Sequence, residues 1–321
     1  MYRIDDATAA TSLPAPETAG TEGYFTEGNP ATGTPATKVR GSWLNMIQEE
    51  LCAILAAAGI ARSKTTYNQV NLALQKLYSP VIGSGRNIAM SVSAASASAT
   101  LTADEIVIGA ALGGQKYMLS SFNKTINLAT TGAGGMDTGA APVSGYVALY
   151  AIYNPTTGAS ALLATNATSS LASNIYGGAN MPSGYTASAL VSVWPTNGSG
   201  QFVPGVQRDR KFLQSSVQVL NTTTAQSQTA LSIASAVPLN AKYFSGYTGL
   251  LSTSTVGMSI NLWSASSGGF ITHPFDAYVL ANVATITPFE NGVVTSQNIG
   301  YSTTSGGGAV TFNIFVTGYT I

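Results

Sequence analysis

From residue 138 to residue 321 the chain carries only seven charged side chains: Arg208, Asp209, Arg210, Lys211, Lys242, Asp276 and Glu290. The preceding 137 residues carry the other 19. A monomeric surface normally needs interspersed charge to stay soluble. So long a neutral stretch, rich in Thr, Ser, Asn and Tyr, implies that much of its surface is buried against copies of the same chain. The remainder then reads as a polar but uncharged contact surface. The plain alternative is an ordinary Ser/Thr-rich β domain.

The charge count also excludes whole classes of function. The 321 residues hold 13 basic and 13 acidic side chains, so 8% are charged. An ordinary soluble domain has roughly a quarter. With no basic excess to hold phosphates, a general nucleic-acid binder is not expected. His273 is the one histidine and Cys52 the one cysteine. A zinc site built from Cys and His clusters therefore cannot form within one chain, and neither can a disulfide. No apolar run approaches about 18 residues, so no membrane insertion is expected. Met1-Tyr2-Arg3-Ile4-Asp5-Asp6 lacks the basic start and apolar core of a secretory signal. Synthesis in a cytosol without general export is the expectation.

Local patterning divides the chain. Residues 1–41 contain Pro14, Pro16, Pro30 and Pro35 with many turn formers and no lasting period. They read as an extended arm that lies on a partner. Residues 42–59 read as a helix capped by Ser42 and stopped by Gly59, with Trp43, Leu44, Ile47, Leu51, Ile54 and Leu55 on one face. A second helix over 66–78, carrying Val70, Leu74 and Leu77, ends at Pro80 and completes a helical hairpin. The Ala/Ser/Thr stretch at 89–103 reads as a linker or a poorly specified strand.

Beyond it, short strand-like runs alternate with turns, as in a sandwich or barrel. Tyr146 to Tyr153 and Ser160 to Thr165 flank Asn154-Pro155-Thr156-Thr157-Gly158 as a hairpin. Period-two alternation marks 187–194, 256–263 and 310–317 as half-buried antiparallel strands. Arg208-Asp209-Arg210-Lys211 reads as a solvated connector between two β domains. The expected division is an arm and hairpin at 1–80, a linker and middle β domain at 81–212, and a C-terminal β domain at 213–321. The fold class is mainly β, with two antiparallel β-sandwich-like domains.

No catalytic constellation stands out. A Ser-His-Asp arrangement would have to use His273, in a segment that reads as a loop leading into a strand, and no G-x-S-x-G turn supports it. A glycosidase needs two carboxylates, and 138–321 offers only Asp209, Asp276 and Glu290. Gly306-Gly307-Gly308 precedes a strand rather than a helix and is not a phosphate cradle. The chain is expected to be no enzyme and to carry no cofactor or metal. What remains is binding by aromatic faces and neutral hydrogen-bonding groups. The candidates in the C-terminal region are Tyr243, Tyr247, Trp263, Phe270, His273 and Tyr301, although large aromatics more often fill cores.

Several long words carry a family resemblance. They are Phe25-Thr26-Glu27-Gly28-Asn29-Pro30-Ala31-Thr32-Gly33-Thr34-Pro35-Ala36-Thr37, then Trp43-Leu44-Asn45, Gln48-Glu49-Glu50-Leu51 and Ala56-Ala57-Ala58-Gly59-Ile60. With the opening Arg3-Ile4-Asp5, they resemble the N-terminal module of tailed-bacteriophage tail fibre proteins, which usually place His where this chain has Tyr2. Tyr150-Ala151-Ile152-Tyr153-Asn154-Pro155-Thr156-Thr157-Gly158, with Tyr176 to Tyr185, is similar to a β module of the same group. The resemblance implies a homotrimer in the virion, attached to the tail or baseplate by its N-terminus. Phe25, Asn29, Pro30, Trp43, Leu44, Ile47 and Leu51 are the attachment candidates. It further implies host adsorption, with the C-terminal domain binding a bacterial glycan or pilus. A structural baseplate or fibre-network component and a polysaccharide depolymerase using Asp276 or Glu290 are the alternatives.

Overall fold

The computed structural model describes residues 1–78, 80–269 and 271–321. They fall into two compact units, Met1–Ser79 and Pro80–Ile321. The first holds the helices α1, Gly41–Ala57, and α2, Gln69–Tyr78. Gly59 ends α1 as expected: at φ 64° its amide reaches Ala56 O, while the amide of Ile60 reaches Leu55 O. That is the left-handed cap that glycine adopts without strain. The start differs from expectation. Ser42 lies inside the first turn, and Arg40 occupies the cap without a side-chain hydrogen bond. The fully buried core of this unit is small, formed by Leu55, Ala58 and Ala73.

Part of the arm folds back on these helices. Arg3 pairs with Glu49, Lys64 Nζ lies 2.7 Å from Asp5, and the amide of Ile4 donates to Gln48 Oε1 at 2.7 Å. All are exposed contacts, each of little worth alone. The Gly28–Thr34 word makes a tight turn. Asn29 Oδ1 accepts from the amide of Ala31 at 3.0 Å, Pro30 opens a single 3-10 turn, and Gly33 closes it at φ 70°.

Among the described residues, the second unit is built from sixteen antiparallel strands. The first eight are β1 Gly85–Arg86, β2 Ala89–Val92, β3 Ser98–Gly109, β4 Lys116–Asn127, β5 Tyr146–Tyr153, β6 Ser160–Asn166, β7 Ala187–Pro195 and β8 Gly205–Arg208. The others are β9 Lys211–Thr222, β10 Gln226–Ser232, β11 Tyr243–Ser252, β12 Val256–Trp263, β13 Ile271–Val279, β14 Thr285–Gly292, β15 Asn298–Ser305 and β16 Val310–Thr320. The Ala/Ser/Thr stretch at 89–103 therefore supplies β2 and the start of β3. A twelve-stranded sheet runs β14-β11-β16-β9-β8-β2-β3-β7-β5-β6, with β1 and β4 also paired to β3. A four-stranded sheet runs β10-β15-β12-β13.

The small sheet packs on the β14-β11-β16-β9 end of the large one. Phe244, Leu250, Phe312 and Ile314 share one core with Met258, Ile260, Leu262, Ile299 and Tyr301. The edge strands β13 and β14 carry Pro274 and Pro288, which blunt them against further pairing.

Two features depart from the alternation pattern. All nine residues of β7 are buried, so Ser188 and Ser192 do not face water. The loop after β6 lies over Ser188 and Leu190: Ser188 Oγ accepts from the amide of Tyr176 at 2.9 Å, and Asn174 O accepts from the amide of Leu190 at 2.9 Å. The charged cluster at 208–211 is the turn between β8 and β9, inside the large sheet. Its Arg210 is no solvated connector. The guanidinium donates to Leu190 O at 3.0 Å and to Gly83 O, and burial lowers its pKa. Asp209, at φ 49°, accepts the amide of Ile88 at 3.1 Å. Residues on both sides of the expected boundary thus belong to one sheet and one compact unit.

Candidate functional site

In the first unit the arm and α1 enclose a cleft of about 840 Å3. Leu13, Pro14, Tyr24, Phe25, Trp43 and Met46 are among its apolar lining, with Glu17, Lys38 and Arg40 also present. Phe25 and Trp43 meet edge to face, centroids 4.9 Å apart. Of the attachment candidates, these two lie in the cleft. Asn29 and Pro30 are accounted for by the tight turn. Leu44 and Ile47 are exposed and Leu51 is half-buried, all on α1 outside the cleft.

The receptor candidates do not converge on one surface. Trp263 and Tyr301 are buried, at 9% and 7% exposure. Tyr247 is half-buried and stacks on Phe315 at 4.8 Å, and Tyr243 is exposed. Phe270 lies outside the described residues. His273 sits within β13, not in a loop before a strand, and pairs in register with Leu262. The three carboxylates lie on separate elements. Asp209 is in the β8–β9 turn, Asp276 on β13, and Glu290 on β14, 3.7 Å from Lys211.

His273 packs 5.6 Å from the Phe289 ring, and its buried Nε2 has no hydrogen-bond partner among the described residues. Burial pushes its pKa down. A lowered folded-state pKa means that the fold favours neutral imidazole. Stability from this site is therefore complete above the unfolded value of about 6.5 and is lost as pH falls through the folded value. Thermal unfolding should show the midpoint falling below about pH 6.5. The dependence should be weaker in His273→Gln, and an identical profile in that variant would remove the assignment.

An exposed apolar group that periodicity did not reveal lies where the two sheets connect. Tyr278, Leu280, Val283 and Ile286 are 74%, 57%, 51% and 64% exposed. They occupy the end of β13, the turn with Asn282 at φ 62°, and the start of β14. The available signal was a run of large apolar residues bracketing a turn former. Scattered exposed apolar residues are normal, and these four are grouped within nine residues.

No helix among the described residues is long and apolar enough to cross a membrane. No family model matches the chain. Over 77 residues, 24% of its length, the chain is 43% identical to the uncharacterized protein StfP of Escherichia coli strain K12. Over 78 residues it is 38% identical to the Mu-like prophage FluMu defective tail fiber protein of Haemophilus influenzae. The chain spans 35% and 12% of the lengths of these relatives. A quarter of the chain thus resembles bacteriophage tail fibre proteins. A Bacillus thuringiensis Cry1Da tryptic core variant aligns with 78% of this chain and 54% of its own, at 6% identity and a TM-score of 0.18, too slight a likeness to carry any argument.

Proposed function

We propose that this chain is a non-enzymatic tail fibre protein of a tailed bacteriophage, part of the virion. In this reading it attaches to the tail or baseplate by its N-terminal unit. It binds a bacterial surface glycan or pilus by its C-terminal strands, as a homotrimer. One observation carries the reading: 38% identity over 78 residues to a protein named as a tail fiber. The near-neutral β-rich remainder supports it, because such a surface suits burial between copies and contact with an uncharged ligand. The scattered carboxylates support a role without catalysis, since glycoside hydrolysis needs two flanking one bond. The Tyr278–Ile286 turn is the proposed receptor contact.

Residues 213–321 are a poor fragment for testing this. β16 pairs with β9, and Tyr319 Oη donates to Val193 O at 2.7 Å, so the C-terminal strand is anchored in the middle of the large sheet. The full chain should instead compete with virions for adsorption to host cells. The exposed-residue variants Tyr278→Ala and Val283→Ser should raise the half-blocking concentration about tenfold or more, the effect of losing one good contact. A full chain that binds tail particles but never blocks adsorption would point to a structural tail component. Release of sugar fragments from host polysaccharide would overturn the non-enzymatic reading.

A further inference from the structure

Arg208 is the one member of the 208–211 cluster whose side chain has no assigned contact. Among the described residues its guanidinium makes no hydrogen bond or ion pair, whereas Asp209, Arg210 and Lys211 each have a partner. It is exposed on β8, beside a shallow depression of about 560 Å3 in the middle of the large sheet. Ser91, Ser98, Thr100, Thr102 and Thr125 also line this depression. Each of them is exposed and has a buried chain neighbour, such as Met90, Ala99, Leu101 or Ile126, so all face away from the core.

The strand register explains the shape. Ala89 pairs with Arg208 on one side and with Thr102 on the other, so a single methyl group lies between two longer side chains. Neighbouring strands are about 4.8 Å apart, which puts the α-carbons of Arg208 and Thr102 about 10 Å from each other. The floor is therefore low, with a cation on one wall and hydroxyls on the other. Thr100 Oγ1 and Thr125 Oγ1 are 2.8 Å apart, so one donates to the other and the pair keeps one hydroxyl hydrogen for an outside acceptor. Among the described residues no Asp or Glu lines the depression. Asp104, the next acidic residue along β3, accepts a hydrogen bond from Asn87 instead.

We infer that this depression binds the carboxylate-bearing ring of an acidic sugar. The planar guanidinium of Arg208 suits a carboxylate held by two parallel hydrogen bonds. The Ser and Thr hydroxyls suit the ring hydroxyls of a sugar, because each group both donates and accepts. A nucleic acid is a poor occupant, since one cation does not neutralise a run of phosphates. An apolar peptide is a poor occupant too, since five lining side chains carry hydroxyls. The inference does not rest on the tail fibre reading. The site lies on β2, β3, β4 and β8, apart from the Tyr278–Ile286 turn, and its ligand is acidic rather than neutral.

The experiment titrates the full chain with glucuronate, galacturonate and N-acetylneuraminate, followed by ligand-observed NMR. Glucose, acetate and inorganic phosphate are the comparisons. At least one acidic sugar should bind about tenfold or more tightly than glucose or acetate, because it alone makes both the charge-assisted and the hydroxyl contacts. Arg208→Gln should weaken that sugar about tenfold or more. Arg208→Lys should fall between, since lysine keeps the charge without the fork. Thr102→Val removes a hydroxyl from the opposite wall and should weaken the same sugar severalfold. Both positions are exposed, so the variants should unfold at nearly the temperature of the unmodified chain. Binding of no acidic sugar, equal binding of acetate or phosphate, or full affinity in Arg208→Gln would overturn the site. None of these readouts involves adsorption to cells, so failure of the tail fibre reading leaves the site standing.

Discussion

Trp194→Ala is expected to cost about 3–5 kcal/mol of stability, the range for emptying a large aromatic site in a core. The loss should reach both ends of the large sheet together. Trp194 is 0% exposed, and its Nε1 donates to Val203 O at 2.9 Å. Its ring lies 4.5 Å from Phe212 on β9, and Phe212 lies 4.9 Å from Tyr319 on β16. These rings join the middle strands to the C-terminal strand through a continuous interior. Removing the indole opens a cavity against strands that cannot close without moving one another. Denaturant unfolding can be followed by far-UV circular dichroism and by tryptophan fluorescence in a Trp43→Phe background, where Trp263 alone emits once Trp194 is removed. Both midpoints should shift by the same amount. A shift in the first with Trp263 unmoved would mean that the C-terminal strands fold separately.

Arg210→Ala should be the next most damaging change, at about 2–4 kcal/mol, because two carbonyls lose their donor at once. The guanidinium fork bridges Gly83 O and Leu190 O, and among the described residues no ion pair places a carboxylate on it. Lysine keeps the charge but lacks the planar fork, so Arg210→Lys should fall between the two. Thermal unfolding of the three proteins measures this directly. If alanine is tolerated within about 0.5 kcal/mol, the typical cost of an unconstrained surface change, Arg210 is the solvated residue that its sequence context suggests.

Arg208, Asp209, Arg210 and Lys211 look alike as a string of charges, and a charge string usually faces water. The hairpin geometry separates them. Asp209 in the left-handed region turns its carboxylate to the amide of Ile88, Arg210 points inward, and Lys211 reaches Glu290. Long-range partners make that choice, and none is adjacent in sequence. The same holds for β7. Alternation at 187–194 gives a strand with a polar face, but only the tertiary packing decides that this face is dry.

The candidate site was legible to different depths. Gly59 could be read because its geometry depends on a few neighbouring residues. Trp263 and Tyr301 could not be sorted from Tyr243, since an aromatic side chain's exposure depends on the opposing sheet. The Tyr278–Ile286 group emerges only when β13 and β14 are assigned to different sheets, which leaves the turn between them without cover.

By itself, the sequence determined the helical hairpin, the β-rich remainder, the strands at 256–263 and 310–317, and the neutral character of the C-terminal surface. These follow from local periodicity, capping and composition, which act over a few residues. Only the tertiary structure decided that one sheet runs through residues 85–320, which charged residue is buried, and which apolar side chains stay open. Those outcomes depend on pairing between residues up to 127 apart, as in Arg210 and Gly83. Such pairing energies exist only once the strands have met.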